Sequence, residues 1–365
     1  MNRVKDKAIP VLRRIGRSNA ESCWRAPGAV DLHFHGAFGI DLMAADSPQL
    51  DRLSERLFRK GVSAFLPTTI SASIPETEAA ITRLGRWIRA HHDQGPRAGR
   101  AFPLGIHLEG PFLSKGCCGA HPEKHLIPPS LELLKRWQKL SQQTLAKITI
   151  APETAPWAEI RRILRWAARE EICISIGHSQ SDGQLARRTL EAGASSITHA
   201  WNAMPFHHRA PGILGEALGR ENTFIELIPD SVHVSDTLVA WTLALHPRGV
   251  CFVSDAVPAA HGKGWSTFGP LRVQVAAGAG RSENGHLAGG GFSLLEMGAG
   301  FWKRRIRAGA SADPESARSL LEAIVVWPLL SLPSARRWIR AIQREHCFEY
   351  RIGAGFAARS VRFRA

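Results

Sequence analysis

The sequence lacks a long uninterrupted apolar run, and this argues against a membrane-spanning protein. Its longest apolar stretch towards the C-terminus, Leu320–Leu332, is broken by Pro328 and is shorter than the ~20 residues that cross a bilayer. Residues 1–20 carry basic side chains but no apolar core of the kind that secretion signals have. We therefore expect neither a membrane partner nor export.

Paired cysteines are also missing. The six cysteines are scattered, apart from the adjacent Cys117 and Cys118, and none stands in a Cys-x-x-Cys pair. This usage suits a reducing compartment better than a disulfide scaffold or a cysteine-ligated metal site. We expect a cytoplasmic location.

Nucleic-acid-binding motifs are absent as well, although the net charge is +15 and the pI is near 10.3. No RNP motif, zinc-finger spacing or dense lysine–arginine run accompanies the charge. We favour an arginine excess on solvated helix faces, as at Arg161–Arg162 and Arg187–Arg188, over a nucleic-acid partner. The length of 365 residues and the 44% hydrophobic content are ordinary for a globular protein.

Short apolar segments alternate with longer amphipathic segments. This alternation indicates parallel βαβ units, and about eight of them in this length favour a TIM (β/α)8 barrel over a doubly wound sheet. The predicted strands are Ala29–His35, Val62–Thr68, Pro103–Glu109, Ala146–Ala151, Ile172–His178, Ser196–Trp201, Phe224–Asp230 and Val250–Asp255. The predicted helices are Ser47–Lys60, Glu76–His91, Leu131–Gln142, Trp157–Glu170, Ser181–Ala192 and Ser235–Leu245.

Side chains that can do chemistry stand where the predicted strands end, and in a TIM barrel the carboxyl ends of the strands surround the active site. Glu109, His178 and His199 close separate strands and make a typical three-ligand catalytic zinc site with a position left open for water. His33 and His35 alternate on one strand and therefore face the same side, where they make half of a metal site. His233 and Asp255 also stand at strand ends.

The chain resembles the N-acetylglucosamine-6-phosphate deacetylase family of the amidohydrolase superfamily. The resemblance runs in order from about residue 27 to residue 300. Its most specific motifs are Glu109-Gly110-Pro111-Phe112 and His199-Ala200-Trp201-Asn202-Ala203-Met204-Pro205. Other matching stretches are Asp31-Leu32-His33-Phe34-His35-Gly36, Gly119-Ala120-His121-Pro122, Gly177-His178-Ser179, Asp230-Ser231-Val232-His233 and Ser254-Asp255-Ala256.

The resemblance implies a role for each matching residue. Glu109, His178 and His199 would hold the principal divalent metal, and His33 and His35 a second one, giving one or two ions per subunit. Histidine and carboxylate ligands favour zinc and leave iron, cobalt and manganese open. The catalytic residues would be the acid/base Asp255 and the hydrogen-bond donor His121. The substrate-binding residues would be Ala120, His121, Asn202, Ala203, Arg209, His233, Leu287, Ala288 and Gly289.

The resemblance also implies a homodimer, because in the family the arginine at Arg209 reaches a neighbouring subunit. Family members carry a small β-sandwich built from both chain ends, but here the N-terminal part looks too short to supply it. We expect an N-terminal extension (1–26), a catalytic barrel (27–310) and a C-terminal helical and eroded sandwich segment (311–365). The β-sandwich domain is therefore expected to be reduced or missing.

The implied function is metal-dependent hydrolysis of the acetamide of N-acetylglucosamine 6-phosphate in amino-sugar catabolism. The galactosamine epimer, an N-acyl compound without phosphate, and a non-catalytic basic relative that binds an acidic partner remain alternatives. Amidohydrolase subclasses with a bridging carboxylated lysine fit less well, because Lys147 lies inside the fourth strand rather than at its end. The bridging role would fall to Glu109.

Overall fold

The computed structural model describes residues 12–17 and 22–361. Parts of the predicted N-terminal extension and of the segment searched for a secretion signal lie outside the described residues. The strands are β1 (Arg13–Arg17), β2 (Ser22–Pro27), β3 (Ala29–Phe34), β4 (Gly36–Ala37), β5 (Ile40–Asp41), β6 (Val62–Pro67), β7 (Phe102–Pro103), β8 (Ile106–Glu109), β9 (Leu145–Ile150), β10 (Cys173–Ile176), β11 (Ser196–Ile197), β12 (Phe224–Leu227), β13 (Val250–Phe252), β14 (Ser266–Phe268), β15 (Leu271–Ala276), β16 (Ala279–Ser282), β17 (Leu287–Gly290), β18 (Cys347–Ile352) and β19 (Phe356–Ser360). The helices are α1 (Ser47–Arg59), α2 (Ile74–Gln94), α3 (Leu131–Leu140), α4 (Trp157–Arg169), α5 (Gly183–Glu191), α6 (Gly212–Leu218), α7 (Asp236–Leu245), α8 (Leu294–Arg307), α9 (Pro314–Leu321), α10 (Trp327–Ser331) and α11 (Ile339–Glu345).

Local sequence signals explain where the outer helices begin and which face they bury. At α1, the Asp46 side chain accepts a hydrogen bond from the backbone N–H of Gln49 at 2.8 Å, in a capping box. Leu50, Leu53 and Leu57 follow at helical spacing, and all three are buried. The helix therefore packs its apolar stripe inward and leaves its basic side chains in solvent.

Parallel strands form the centre of the molecule, so the α/β class expected from the sequence is confirmed. Six strands pair in the order β13-β12-β11-β10-β9-β8, and each successive pair is connected by one of the helices α3 to α7. Three more parallel strands pair in the order β3-β6-β7. Isolated parallel bridges connect the two groups at both sides, Thr68 with His107 and Phe34 with Ala256.

The chain ends form an antiparallel sheet in the order β1-β2-β18-β19. The expected β-sandwich domain is therefore not missing: the chain ends form a single four-stranded sheet, to which the N-terminal part contributes β1 and β2. In β2, buried Trp24 alternates with half-buried neighbours and pairs with Tyr350 of β18. The Tyr350 hydroxyl donates a 2.7 Å hydrogen bond to the Pro27 carbonyl, which ties the sheet to the start of β3.

A second antiparallel sheet, in the order β14-β15-β16-β17, follows the last parallel strand. None of these four strands is among the strands predicted from the sequence. Gly290, at the end of β17, bridges to Ala256, immediately after Asp255. The sheet therefore delivers the Leu287–Gly289 segment beside the ends of the parallel strands.

Two of the arginine pairs lie on exposed helix surfaces. Arg161 and Arg162 on α4 and Arg187 and Arg188 on α5 are exposed. Arg187 is paired with Glu216, with a nitrogen–oxygen distance of 2.8 Å. None of the helices in residues 12–17 and 22–361 is both long and apolar enough to cross a membrane.

Candidate metal centre and active site

Three of the predicted site residues lie just after the ends of parallel strands, whereas Glu109 is the last residue of its strand, β8. His178 lies two residues after β10, His199 two residues after β11 and Asp255 three residues after β13. All three adopt positive φ angles, of 50°, 27° and 49° respectively. Non-glycine residues rarely take this conformation, and such strain is concentrated at functional sites. Each of these three functional side chains is therefore carried on strained backbone just beyond the end of its strand.

The carboxylate of Glu109 is the centre of the cluster. Its Oε1 lies 3.3 Å from His178 Nε2 and 3.0 Å from His199 Nε2. Its Oε2 lies 3.2 Å from the Nε2 atoms of both His33 and His35. Glu109 is 2% exposed, so these contacts form away from bulk water. One oxygen therefore faces the residues predicted for the principal metal, and the other faces the pair predicted for the second.

The two predicted imidazole pairs bring their Nε2 atoms very close together. These atoms are 3.0 Å apart in His178 and His199, and 3.2 Å apart in His33 and His35. Unprotonated ring nitrogens carry lone pairs that repel at this distance unless a proton or a cation lies between them. Imidazole and carboxylate donors are those that zinc and related divalent cations take in proteins. The donor set therefore fits a divalent cation.

The outer ring nitrogens of two ligand candidates are held by acceptors. His178 Nδ1–H donates to the Cys117 carbonyl at 2.8 Å, and His33 Nδ1–H donates to Glu226 Oε2 at 3.4 Å. A proton on Nδ1 of a neutral imidazole leaves the Nε2 lone pair directed at the cluster. Both rings are therefore oriented as metal ligands are.

His121 is held in the opposite tautomer. The backbone N–H of Ser71, which can only donate, is 3.2 Å from His121 Nδ1. Neutral His121 therefore carries its proton on Nε2, which lies 3.3 Å from Glu109 Oε2. The possible ligand atoms of His121, Glu109 and His178 lie within 4.8 Å of one another, so distance alone would allow His121 to be a metal ligand. A protonated Nε2, however, cannot bind a metal. His121 is suited to donate a hydrogen bond instead.

Electrostatics determine the protonation of Asp255 and His121. Burial opposes ionisation of Asp255, but the facing rings of His33 and His35 lower the pKa of its carboxyl below the usual range. Burial lowers the pKa of His121 to about 4. At neutral pH the site therefore combines an ionised carboxylate with a neutral imidazole donor.

A cavity of about 670 Å³ opens beside this cluster, within the size range of small-molecule sites. His33 lies beneath it and is fully buried, whereas Arg209 is exposed outside it. The predicted site residues that line the cavity are His35, Glu109, Ala120, His121, His178, His199, Asn202, Ala203, His233, Asp255, Leu287, Ala288 and Gly289.

Asp230 orients His233 and also shapes the turn that follows β12. Its Oδ1 accepts from the backbone N–H groups of Val232 and His233, as a turn residue does. Its Oδ2 accepts from His233 Nδ1 at 2.7 Å, which leaves Nε2 free to accept at the cavity. Ser231, within this turn, takes a positive φ of 66°, a conformation that glycine favours.

Gly110, directly after Glu109, is needed for close packing against His121. Its φ is +70°, and a Cβ there would overlap Ser71 Oγ and lie 3.2 Å from His121 Nδ1. We expect Gly110→Ala to lower the free energy of unfolding by about 2–3 kcal/mol, from backbone strain and overpacking. Urea unfolding measures the loss. Gly95→Ala is the matched control, since Gly95 has a φ of +72° but open space around it. Equal losses in the two variants would contradict the packing argument.

Parallel strands that end in a buried cluster of imidazoles and carboxylates define the class of this protein as a metal-dependent amidohydrolase of α/β architecture. The comparisons with known proteins narrow the class. N-acetylglucosamine-6-phosphate deacetylase of Bacillus subtilis (strain 168) is 37% identical over 279 residues, which cover 75% of this chain and 68% of that protein. The chain therefore belongs to the N-acetylglucosamine-6-phosphate deacetylase family.

Two further comparisons agree with this membership. N-acetylgalactosamine-6-phosphate deacetylase of Escherichia coli O157:H7 is 31% identical over 270 residues, covering 73% of this chain and 69% of that protein. The crystal structure of N-acetylglucosamine-6-phosphate deacetylase from Thermotoga maritima gives a TM-score of 0.74 at 28% identity, covering 93% of this chain and 89% of that one. No protein-family model matches the chain.

Proposed function

We propose that this protein hydrolyses the acetamide of N-acetylglucosamine 6-phosphate to glucosamine 6-phosphate and acetate, as a step of amino-sugar catabolism. The observation that carries the proposal is the buried Glu109 carboxylate, with five imidazole Nε2 atoms within 3.3 Å of its oxygens. The name of the Bacillus relative supports the same activity. The Escherichia coli relative, named for the galactosamine epimer, makes that epimer the second candidate.

The Glu109, His178 and His199 side chains would hold a principal divalent cation. His33, His35 and Asp255, whose ligand atoms lie within 4.8 Å of one another, would hold a second. A bound ion supplies Lewis acidity and lowers the pKa of water. We favour zinc for this mixed imidazole and carboxylate set, with iron, cobalt and manganese as alternatives.

The chain's own groups divide the proton transfers between them. Ionised Asp255 would take the proton of the attacking water and deliver it to the nitrogen of the leaving amine. The Nε2–H of His121 would donate to the acetamide oxygen as that atom gains negative charge. His233 Nε2 would accept a hydrogen bond from a sugar hydroxyl, with the ring held by Asp230. Backbone and side chains of Asn202, Ala203 and the Leu287–Gly289 segment would surround the sugar phosphate.

Arg209 would serve the cavity of a second subunit in a homodimer. It is exposed on its own chain, in a loop where Phe206 is 49% exposed. The nearby helix α7 presents Trp241 and Leu245, which are 60% and 66% exposed. The Trp201 ring joins the two surfaces, because it packs on Phe206 and donates its Nε1–H to a hydroxyl of α7. Adjacent apolar groups of this size suit an interface between subunits.

Complementation tests whether Arg209 acts across the dimer. We expect Arg209→Ala to raise the KM for the phosphorylated sugar, because a bidentate phosphate donor is lost. Dimers that combine an Arg209→Ala subunit with an Asp255→Asn subunit should keep one intact site. Co-expression should then restore about a quarter of wild-type activity, as random pairing of two subunits in a twofold dimer gives. No restoration from mixed dimers of confirmed composition would contradict the assignment.

The details of the strand arrangement and the state of the cysteines agree with the proposed function. The bridges at Thr68 and Phe34 support closure of the parallel strands into a (β/α)8 barrel, with residues 27–310 as the catalytic unit and the chain ends as a reduced sandwich domain. The reducing cytoplasm suits the six cysteines, all of which lie among the described residues and are free.

The substrate assignment is tested by comparing kcat/KM for three compounds. These are N-acetylglucosamine 6-phosphate, its galactosamine epimer and unphosphorylated N-acetylglucosamine. We expect the first to be the best substrate and the third to be poor, because the phosphate contacts are lost. A preference for the epimer would replace the first candidate by the second. Absence of turnover with every compound would favour the non-catalytic alternative.

A further inference from the structure

A buried ion pair lies beneath the candidate metal centre. Lys147 on β9 and Glu226 on β12 are in contact through Lys147 Nζ and Glu226 Oε1, and their side chains are 1% and 0% exposed. Lys147 Nζ also donates to Ser196 Oγ at 3.3 Å. Neither charged residue lines the cavity, and neither has a part in the proton transfers described above. The pair is therefore separate from the groups that would touch the substrate.

Glu226 connects this pair to two of the ligand candidates. Its Oε2 lies 3.4 Å from His33 Nδ1 and 3.3 Å from the backbone nitrogen of His199, both of which donate to it. Its other oxygen is occupied by Lys147. One carboxylate therefore fixes the ring of a ligand candidate for the second ion and the backbone of one for the principal ion.

Other polar groups near His33 do not compete for this contact. His107 packs its ring 4.6 Å from that of His33, but its two nitrogens are occupied by the Leu32 carbonyl and the Thr149 hydroxyl. The Asp31 carboxylate accepts from the backbone and hydroxyl of Ser254 instead. Within the described residues, His33 Nδ1–H donates its hydrogen bond to the Glu226 carboxylate.

Stability alone does not explain an ion pair that is buried this deeply. Well-packed apolar side chains of similar size often replace a buried pair without loss of stability, whereas a single buried charge without its partner is strongly destabilising. Acceptors that hold the outer nitrogen of a histidine ligand commonly set its tautomer and its metal affinity. Here the carboxylate can serve that purpose only while Lys147 balances its charge.

We propose that the Lys147–Glu226 pair is a positioning device that holds His33 in its Nδ1–H tautomer and thereby determines whether the His33, His35 and Asp255 group binds a second cation. The inference rests on the metal centre of the proposed function. Lys147 acts through Glu226, and Glu226 acts through His33. Neither residue is catalytic, because neither touches the substrate or the reacting atoms.

The test counts bound zinc and measures its affinity. Chelator-stripped full-length protein is dialysed against buffered zinc, ions per chain are measured by mass spectrometry, and each affinity is measured by competition with a chromophoric chelator. We expect two ions in the wild type. In K147M/E226L, which leaves no unpaired charge, we expect one tight ion and a second-ion affinity lowered about 10- to 100-fold. K147M/E226Q keeps an amide oxygen for His33 and should recover most of that affinity.

Thermal unfolding of the stripped proteins separates positioning from folding. If the pair served stability alone, K147M/E226L would keep two ions of wild-type affinity whatever its change in thermal stability, and this result would overturn the inference. If K147M/E226L does not fold, K147M/E226M takes its place, because methionine is about as long as glutamate but offers His33 no oxygen acceptor. A second-ion affinity lowered about 10- to 100-fold then supports the inference, and wild-type affinity overturns it. Ser196→Ala removes the other contact of Lys147 and should leave both ions in place.

The failure of this inference can be told apart from failure of the proposed function. A wild-type protein that binds a single ion and releases amine from N-acetylglucosamine 6-phosphate would overturn the inference alone. A protein that binds two ions in the expected manner but releases no amine would overturn the proposed function and leave the positioning role supported.

Discussion

Asp255→Asn is expected to lower kcat for N-acetylglucosamine 6-phosphate about 10³-fold, within the range that general acid–base groups contribute. The carboxylate lies 3.1 Å from His35 Nε2 and 3.4 Å from His33 Nε2, and these rings keep its pKa below the usual range. It is therefore available as a base at neutral pH. An amide of nearly the same shape can neither take the proton from water nor return one to the amine.

The measurement for Asp255→Asn is the steady-state rate of amine release, together with the zinc content of the variant. Asp236→Asn is the matched control, because Asp236 pairs with Arg304 on the outside of the molecule. The control should keep a kcat close to that of wild type. A loss of less than about tenfold in kcat would be smaller than the contribution of a general acid–base group. If Asp255→Asn loses no more than that, Asp255 is not the acid/base.

Glu109→Gln is expected to abolish both metal binding and activity. Glu109 is the carboxylate shared by both imidazole groups, with His178 and His199 on one oxygen and His33 and His35 on the other. An amide carries no charge and presents an NH₂ group to one of these pairs. Affinity for zinc should fall by more than the roughly 100-fold that loss of an outer partner can cost.

Zinc competition and amine release are measured on the same Glu109→Gln preparation. Glu216→Gln serves as the control, since Glu216 pairs with Arg187 at the surface and lies away from the cluster. The stripped wild type and the stripped Glu109→Gln variant are compared by circular dichroism to establish that both are folded. Wild-type zinc affinity in folded Glu109→Gln would rule out Glu109 as the shared ligand.

Much of the fold follows from local sequence, but the strand ends do not. The apolar run that starts at Ala29 predicts a strand, and the structure has one from Ala29 to Phe34. The run from Ser196 predicts a strand to Trp201, whereas the ladder ends at Ile197. The reason is the positive φ of His199 and of Trp201, which apolar periodicity does not reveal. β10 and β13 likewise end before His178 and Asp255, whereas β8 runs to Glu109.

Some residues of the candidate site could be predicted from the sequence, and others could not. Glu109 and His178 could be named because strand ends meet at one edge in parallel folds. The Lys147–Glu226 pair could not, because its members are 79 residues apart and each reads as an isolated polar residue in an apolar strand. The sheet at the chain ends was underestimated for the same reason, since β2 finds its partner in β18 at the far end of the sequence.

The measurement that tests metal-dependent deacetylation most directly is amine release from N-acetylglucosamine 6-phosphate by the wild-type protein, before and after chelator-stripped protein is reloaded with zinc. The cluster around Glu109 predicts negligible release from stripped protein and recovery of turnover on reloading. Equal release from stripped and reloaded protein would contradict a metal-dependent reaction. Folded protein that releases no amine with zinc, iron, cobalt or manganese would contradict the deacetylase assignment itself.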